Sequence, residues 1–151
     1  MRLLAKFARL PWCDRMLVLR AFATVLLIKL ALLAMPFRSV RAIIDRIALQ
    51  SRYPKMRPSA GKIGWAVAAV NRGLHFKQGD CLPLAMAAES MLARYGYRAE
   101  MKIGAARGED GAFIAHAWVE CEGRVIIGNF ELDKYTTLES TASPTRGEIA
   151  G

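Results

Sequence analysis

The hydrophobic pattern of this chain changes its period at Gly96, and this change constrains the fold more than any other feature. From Cys81 to Tyr95 the apolar residues recur at helical spacing, which is typical of a helix with one face toward a core. From Ala99 to Ile103 apolar and charged residues alternate, which is the pattern of a half-buried strand. Helices followed by strands predict an α+β domain with an antiparallel sheet.

Two helices are expected near the N-terminus. A long apolar helix should begin after Asp14, its N-cap, and should end at Pro36, because proline cannot continue a helix. A second helix should begin at Ser39 and run to about Arg52.

Two more helices are expected before the strands begin. Ser59 is the candidate N-cap of a helix over residues 62–72, in which apolar residues recur at helical spacing. Asp80 is the candidate N-cap of the helix that begins at Cys81. On that helix Glu89 and Arg94 are expected to face water.

Three strands should then form an antiparallel meander. The first includes residues 99–103, the second covers Phe113 to Cys121, and the third covers Arg124 to Asn129. Glu122 and Gly123 between the last two strands fit a two-residue hairpin turn.

The chain has 151 residues, enough for one compact core with flanking regions. Residues 1–58 are expected to form a basic, apolar, helical region that docks partners, and residues 59–138 to form the core. Residues 139–151 are small and polar, so we expect a flexible tail.

The positive charge is concentrated in the N-terminal third. Residues 1–58 contain 12 Lys or Arg and 2 Asp, a net charge of +10, whereas the whole chain carries +9. Aliphatic residues surround these charges, with little of the aromatic content that single-stranded nucleic acids require. The pattern therefore favours contact with a protein or a membrane, and we expect no nucleic-acid partner.

The apolar stretch from Met16 to Pro36 raises the question of a membrane span. Arg20 and Lys29 interrupt it, so no uncharged run exceeds 8 residues, well short of the ~20 that cross a bilayer. We expect no span. These two charges lie on opposite sides of a helix, so the segment is apolar on most sides. Its own domain, a partner protein or a lipid surface could cover it, which leaves peripheral membrane contact through residues 15–37 open.

Three cysteines cannot all pair with one another, and no secretory cleavage signal is visible, so we expect a cytoplasmic protein. Cys13 and Cys121 are expected to be small buried residues without a catalytic role. No pair of His or Cys has metal-ligand spacing, and the pattern predicts neither a metal nor a cofactor.

Cys81 is expected to be the first residue of a helix, where backbone N–H groups and the helix dipole stabilise a thiolate. The negative charge of Asp80 opposes this effect. His116 is expected on a strand face toward Cys81, which would allow a thiolate–imidazolium pair. Gln78 could donate to an oxyanion, although a loop glutamine is more often without a role, and His75 is expected at the surface.

A third group normally orients the histidine of such a pair. A two-residue turn at 122–123 would place Asn129 directly across from His116, where its amide could accept from the ring nitrogen remote from sulfur. A bulge would break this alignment, and Asp133 or Glu131 would then become the candidate.

The chain resembles the small transglutaminase-like cysteine peptidases of lasso-peptide biosynthesis in two runs, GDCLPLAMAAESMLARYGYRAEMKIGAAR and FIAHAWVECEGRVIIGN. In that family a Cys opens a helix and an A-H-A-W-V-E strand carries the His. The resemblance spans most of residues 15–138, and its specific parts are the Cys helix and the His strand.

The resemblance implies a papain- and transglutaminase-like core that removes the leader from a ribosomally made lasso-peptide precursor. Cys81 would be the nucleophile and His116 its acid and base. A small leader-recognition protein would present the precursor, and an ATP-dependent lasso cyclase would use the freed core peptide. The family's third residue is normally an Asp about a dozen positions after the His, a region that here reads Gly128-Asn129.

Two other functions remain compatible with these residues. A transglutaminase-like acyltransferase would pass the acyl group to an amine instead of water, through the same first half-reaction. A non-catalytic adaptor would use the basic N-terminal region to dock the proteins of a peptide-maturation complex.

Overall fold

The computed structural model describes residues 7–50, 57–74, 80–129 and 131–142. Within these residues, four helices precede a four-stranded sheet, so the α+β prediction is confirmed. The helices are α1 (Trp12–Ala34), α2 (Phe37–Gln50), α3 (Ala60–Leu74) and α4 (Cys81–Arg94). The strands are β1 (Ala99–Arg107), β2 (Phe113–Cys121), β3 (Arg124–Ile127) and β4 (Thr136–Ala142).

The sheet has the strand order β3-β2-β1-β4, and each neighbouring pair is antiparallel. The bounds of β2 agree with the sequence prediction, and Gly96, in the left-handed region at φ +80°, separates α4 from β1. The fourth strand was not expected. It pairs with β1 and continues to Ala142, so its last four residues, 139–142, lie where we expected the tail.

Helix α1 begins at Trp12, two residues before the expected cap. Asp14 therefore lies in the first turn, and its carboxylate pairs with Nζ of Lys62 on α3 at 2.7 Å. The Ser59 prediction is confirmed, because Oγ of Ser59 accepts a hydrogen bond of 3.3 Å from the backbone N–H of Lys62.

Within the described part of the chain, α1 is the one helix long and apolar enough to cross a bilayer, with a mean hydropathy of 2.2 over 18 residues. The length and composition of α1 thus allow a membrane span, although Arg20 and Lys29 led us to expect none. One side of α1 nevertheless packs into the core of the domain, through Leu17, Ala21, Val25 and Ile28. The N-terminal region and the strands therefore share one hydrophobic core.

Helix α4 is the central element, because every residue from Pro83 to Ala93 is buried. The expectation that Glu89 faces water is wrong, since its side chain is fully buried. Arg41 of α2 binds both carboxylate oxygens of Glu89, with Nη2 at 3.0 Å from Oε1. Burial raises the pKa of Glu89, and the hydrogen bond and charge of Arg41 only partly offset this rise.

Candidate active site

Cys81 is the first residue of α4, and its half-buried thiol lies at a cavity. The backbone N–H groups of a first helical turn lack partners within the helix, so they favour a negative charge beside them. Pro83 is compatible with this turn, because its missing N–H would have no helical partner there. The expected placement of Cys81 at a helix N-terminus is confirmed.

Asp80 occupies the N-cap position, but its side chain makes no capping hydrogen bond, contrary to our expectation. Its Oδ1 instead lies 2.8 Å from Nζ of Lys29, near the C-terminal end of α1. The carboxylate therefore points toward α1 instead of closing the helix end. The lysine also compensates the negative charge next to Cys81, which we had expected to oppose a thiolate.

His116 lies in β2, and its Nε2 is 2.8 Å from the carbonyl oxygen of Gly128. A carbonyl oxygen can only accept, so Nε2 must carry the hydrogen of this bond. In the neutral ring the other nitrogen, Nδ1, then has a free lone pair and can take up a proton. The backbone thus holds the imidazole in the tautomer that a general base requires.

Two aromatic rings flank the imidazole of His116. The Trp118 ring is stacked at 6.2 Å between centroids, and the Tyr135 ring is tilted at 5.1 Å. Nε1 of Trp118 donates to Glu120 at 3.0 Å, and Lys102 pairs with the same carboxylate at 2.8 Å. The hydrogen bonds from Lys102 and Trp118 lower the pKa of Glu120, so this carboxylate stays charged and anchors the indole.

The strand beside His116 carries a glycine that makes room for these rings. Gly104 of β1 pairs with His116 in the sheet register. A Cβ atom at Gly104 would lie 3.0 Å from Cζ3 of Trp118 and 3.0 Å from Cβ of Tyr135. Any larger residue at this position would therefore push the two rings away from their places beside the histidine.

Cys81 and His116 line the same cavity, which has a volume of about 510 Å³. The two residues come from different elements and are brought together by the packing of α4 on the sheet. Asn129, Glu131 and Tyr135 lie on the wall of the same cavity. All three predicted site residues, Cys81, His116 and Asn129, therefore line one space that is large enough for part of a peptide chain.

The predicted alignment of Asn129 with His116 is wrong. A two-residue turn without a bulge would pair Val119 with Ile126, but Val119 pairs with Ile127. The β2–β3 register therefore shifts by one residue just beyond the hairpin turn, and the extra residue forms a bulge in β3. With this shift, position 129 no longer lies directly across from position 116.

The bulge brings a backbone group to the histidine in place of a side chain. The carbonyl oxygen of Gly128 lies at Nε2 of His116, where we had expected the amide of Asn129. Asn129 still lies at the cavity, so it remains close to the site. Its catalytic role stays a prediction.

The structure also describes Glu131 and Asp133, which we named as candidates for the orienting residue if the hairpin contains a bulge. Glu131 lies at the cavity and pairs with Lys134 at 2.8 Å. Asp133 is exposed in the short 3₁₀ helix Leu132–Lys134. His75 and Gln78 fall outside the described residues.

Two residues of the site were missed by sequence reasoning. Gly128 acts through its backbone, and the available signal was the glycine itself, which adopts the left-handed region at φ +83°. Tyr135 approaches His116 only because the segment after β3 folds back to pair with β1. No local pattern indicates that approach.

The other two thiols differ from each other in exposure. Cys121 is buried as expected, and burial raises the pKa of its thiol. Cys13 is exposed in the first turn of α1, so the expectation that it is buried is wrong.

Comparison with known families agrees with this geometry. Residues 21–140 match the model of the transglutaminase-like superfamily, and this range includes both Cys81 and His116. No curated protein and no solved structure matches the chain significantly. Domains of this superfamily are of the kind that carries cysteine peptidase or acyltransferase activity. Because the match covers most of its length, the chain belongs to the transglutaminase-like superfamily.

Proposed function

We propose that this protein is a cysteine peptidase that removes the leader from a lasso-peptide precursor. One observation carries the proposal: Cys81 and His116 line one cavity, and the bond from Nε2 of His116 to Gly128 leaves Nδ1 as the basic nitrogen of the ring. The lasso-peptide substrate is supported by the sequence resemblance in the Cys helix and the His strand.

The reaction would proceed in two half-reactions. His116 takes the proton of Cys81, and the thiolate attacks the carbonyl carbon that joins leader and core. The amine of the core leaves with the proton held by His116, and the leader remains as a thioester. His116 then takes a proton from water, whose oxygen attacks the thioester. The products are the leader carboxylic acid and the regenerated thiol.

The N-terminus of α4 would stabilise the tetrahedral intermediate. The backbone N–H groups of its first turn can donate to the oxyanion that forms beside Cys81. Lys29 would assist indirectly, because its pairing with Asp80 reduces the negative charge close to that oxyanion.

The test uses the full chain with a lasso precursor peptide and a leader-recognition protein from the same biosynthetic system. Mass spectrometry should detect the free leader and the free core with the wild type, and neither with Cys81→Ala. Cys13→Ser is the matched control and should retain cleavage, because Cys13 is absent from the cavity lining. Intact precursor with the folded wild type would contradict the proposed function.

The superfamily match favours acyl transfer as the second candidate, since the first half-reaction is shared. Adding a primary amine to the same assay separates the two reactions. A leader acid as the main product supports the peptidase, whereas a leader amide supports the acyltransferase. An adaptor would give no product and no acylation of Cys81.

A further inference from the structure

Helix α1 presents an apolar face to solvent on the side opposite the core. Its buried residues lie on one side, and large apolar residues occupy the other. Six of these residues are between 39% and 84% exposed, namely Leu19, Phe22, Leu26, Leu27, Leu30 and Leu33. We call these six residues the outer face of α1.

The outer face is free of charge because the two cations of this helix segment turn toward the domain. At 100° per residue the six residues span an arc of about 140°, with Arg20 and Lys29 at its two edges. Arg20 donates to the hydroxyl of Tyr95 at 2.9 Å, and Lys29 pairs with Asp80 at 2.8 Å. From Leu19 to Leu33, all of it described, the outer face therefore carries no charged side chain.

The N-terminal region that carries this apolar face also carries exposed cations. Both carboxylates within the described residues 7–50 are ion-paired, Asp14 with Lys62 and Asp45 with Arg41. Arg38 and Arg46 of α2 are exposed, as is Arg9 before α1. The region thus combines an uncharged apolar surface with cations that are not neutralised by acidic residues of the same segment.

We propose that the outer face of α1 binds the surface of an anionic membrane, with the helix lying in the plane of the interface. An apolar face flanked by cations suits anionic lipids, which attract the arginines while the acyl chains accept the leucines. Trp12, at the N-terminal end of the same helix, is 73% exposed and belongs to the residue types that favour the headgroup region.

The breadth of the face favours lipid over a partner helix. A helix partner covers a narrow seam of two positions in seven, whereas this arc of about 140° is wider. The contact is peripheral, because Leu17, Ala21, Val25 and Ile28 remain packed in the protein core. A helix held along one side by its own domain does not span the bilayer.

Vesicle sedimentation tests the proposal with the full chain. We expect it to sediment with vesicles of phosphatidylcholine and phosphatidylglycerol, more weakly with phosphatidylcholine alone, and less as salt rises. The double variant Leu26→Gln/Leu30→Gln should lower the partition coefficient at least about 10-fold, because two apolar contacts are lost. Leu138→Gln, at an exposed leucine of β4, is the matched control and should bind like the wild type.

Three outcomes would overturn the proposal. The first is equal sedimentation of the double variant and the wild type, or no sedimentation of either. The second is resistance to alkaline extraction, which indicates a span. The third is a wild-type dimer in light scattering that is absent in the double variant, together with no binding of either protein to vesicles. This result would identify the outer face as a protein interface. Circular dichroism checks that the variants fold, and labelling of Cys81 by iodoacetamide reports separately on the proposed active site.

Discussion

Nε2 of His116 donates a hydrogen bond of 2.8 Å to the carbonyl oxygen of Gly128. The orienting partner of the imidazole is thus a backbone atom, at the position where the related triads place an Asn or Asp side chain. A carbonyl fixes the tautomer as such a side chain does, but unlike an Asp carboxylate it adds no negative charge to stabilise the imidazolium. The geometry of the loop after β3 therefore determines how the histidine is held.

Gly128→Ala should lower kcat by roughly 100-fold or more, because a misplaced catalytic group costs about this much. An added Cβ would lie 2.7 Å from Cβ of Trp118, and the residue sits at φ +83°, so the carbonyl must move. Gly123→Ala is the matched control, since Gly123 has φ +74° with nothing within 4 Å. Steady-state kinetics of both variants check the prediction, and equal losses would indicate a general effect of backbone strain.

Asn129→Ala should lower kcat by less than about 10-fold, because the Gly128 carbonyl already orients the ring. Asn129→Asp should also be tolerated at this exposed position. A loss of between about 10- and 1,000-fold in Asn129→Ala would instead support the triad role expected from the sequence. Kinetics with the same precursor peptide distinguish the two results.

Arg41→Met should lower the free energy of unfolding by about 3–5 kcal/mol, because it leaves the buried carboxylate of Glu89 without its partner. The double variant Arg41→Met/Glu89→Met should be less destabilised, since both buried charges are then absent. Arg46→Met, at an exposed position of α2, serves as the control and should change stability by less than about 0.5 kcal/mol. Urea unfolding measures all three, and an additive double variant would show that the two residues do not interact.

Glu89 should also make stability depend on pH. Burial raises its folded-state pKa above the ordinary value of 4.5, so the folded protein binds this proton more tightly than the unfolded chain. The contribution of Glu89 is therefore largest below pH 4.5 and falls as the pH rises toward the folded-state pKa. The difference in unfolding free energy between wild type and Glu89→Gln should decrease over this window. A difference that increases with pH would mean that pairing with Arg41 outweighs burial.

Iodoacetamide should label Cys81 faster than Cys13, and Cys13 faster than Cys121. Cys121 should be slowest, because it is buried and burial raises its pKa. Cys13 is accessible, so only thiolate formation can make Cys81 faster. His116→Ala should slow the labelling of Cys81 and leave Cys13 unchanged, as peptide mapping can show. Faster labelling of Cys13 than Cys81 in the wild type would place the reactive thiol elsewhere.

Features that depend on neighbouring residues along the chain were predictable from the sequence. The period of the hydrophobic pattern indicates which side of each helix or strand faces the core. The sequence also predicted β2 with the bounds that the structure shows. The turn residue Gly96 and the start of a helix at Cys81 follow from local backbone preferences. The sequence thereby determined the α+β class, the helix that carries the thiol and the strand that carries His116.

Features that depend on distant partners were decided by the tertiary structure. The bulge opposite Val119 moves Gly128 to the ring of His116, because strand register depends on packing across the whole sheet. The burial of Glu89 depends on Arg41, which lies 48 residues away in the chain. Local periodicity carries no information about such pairings, since the free energy that selects them arises only when distant segments pack together.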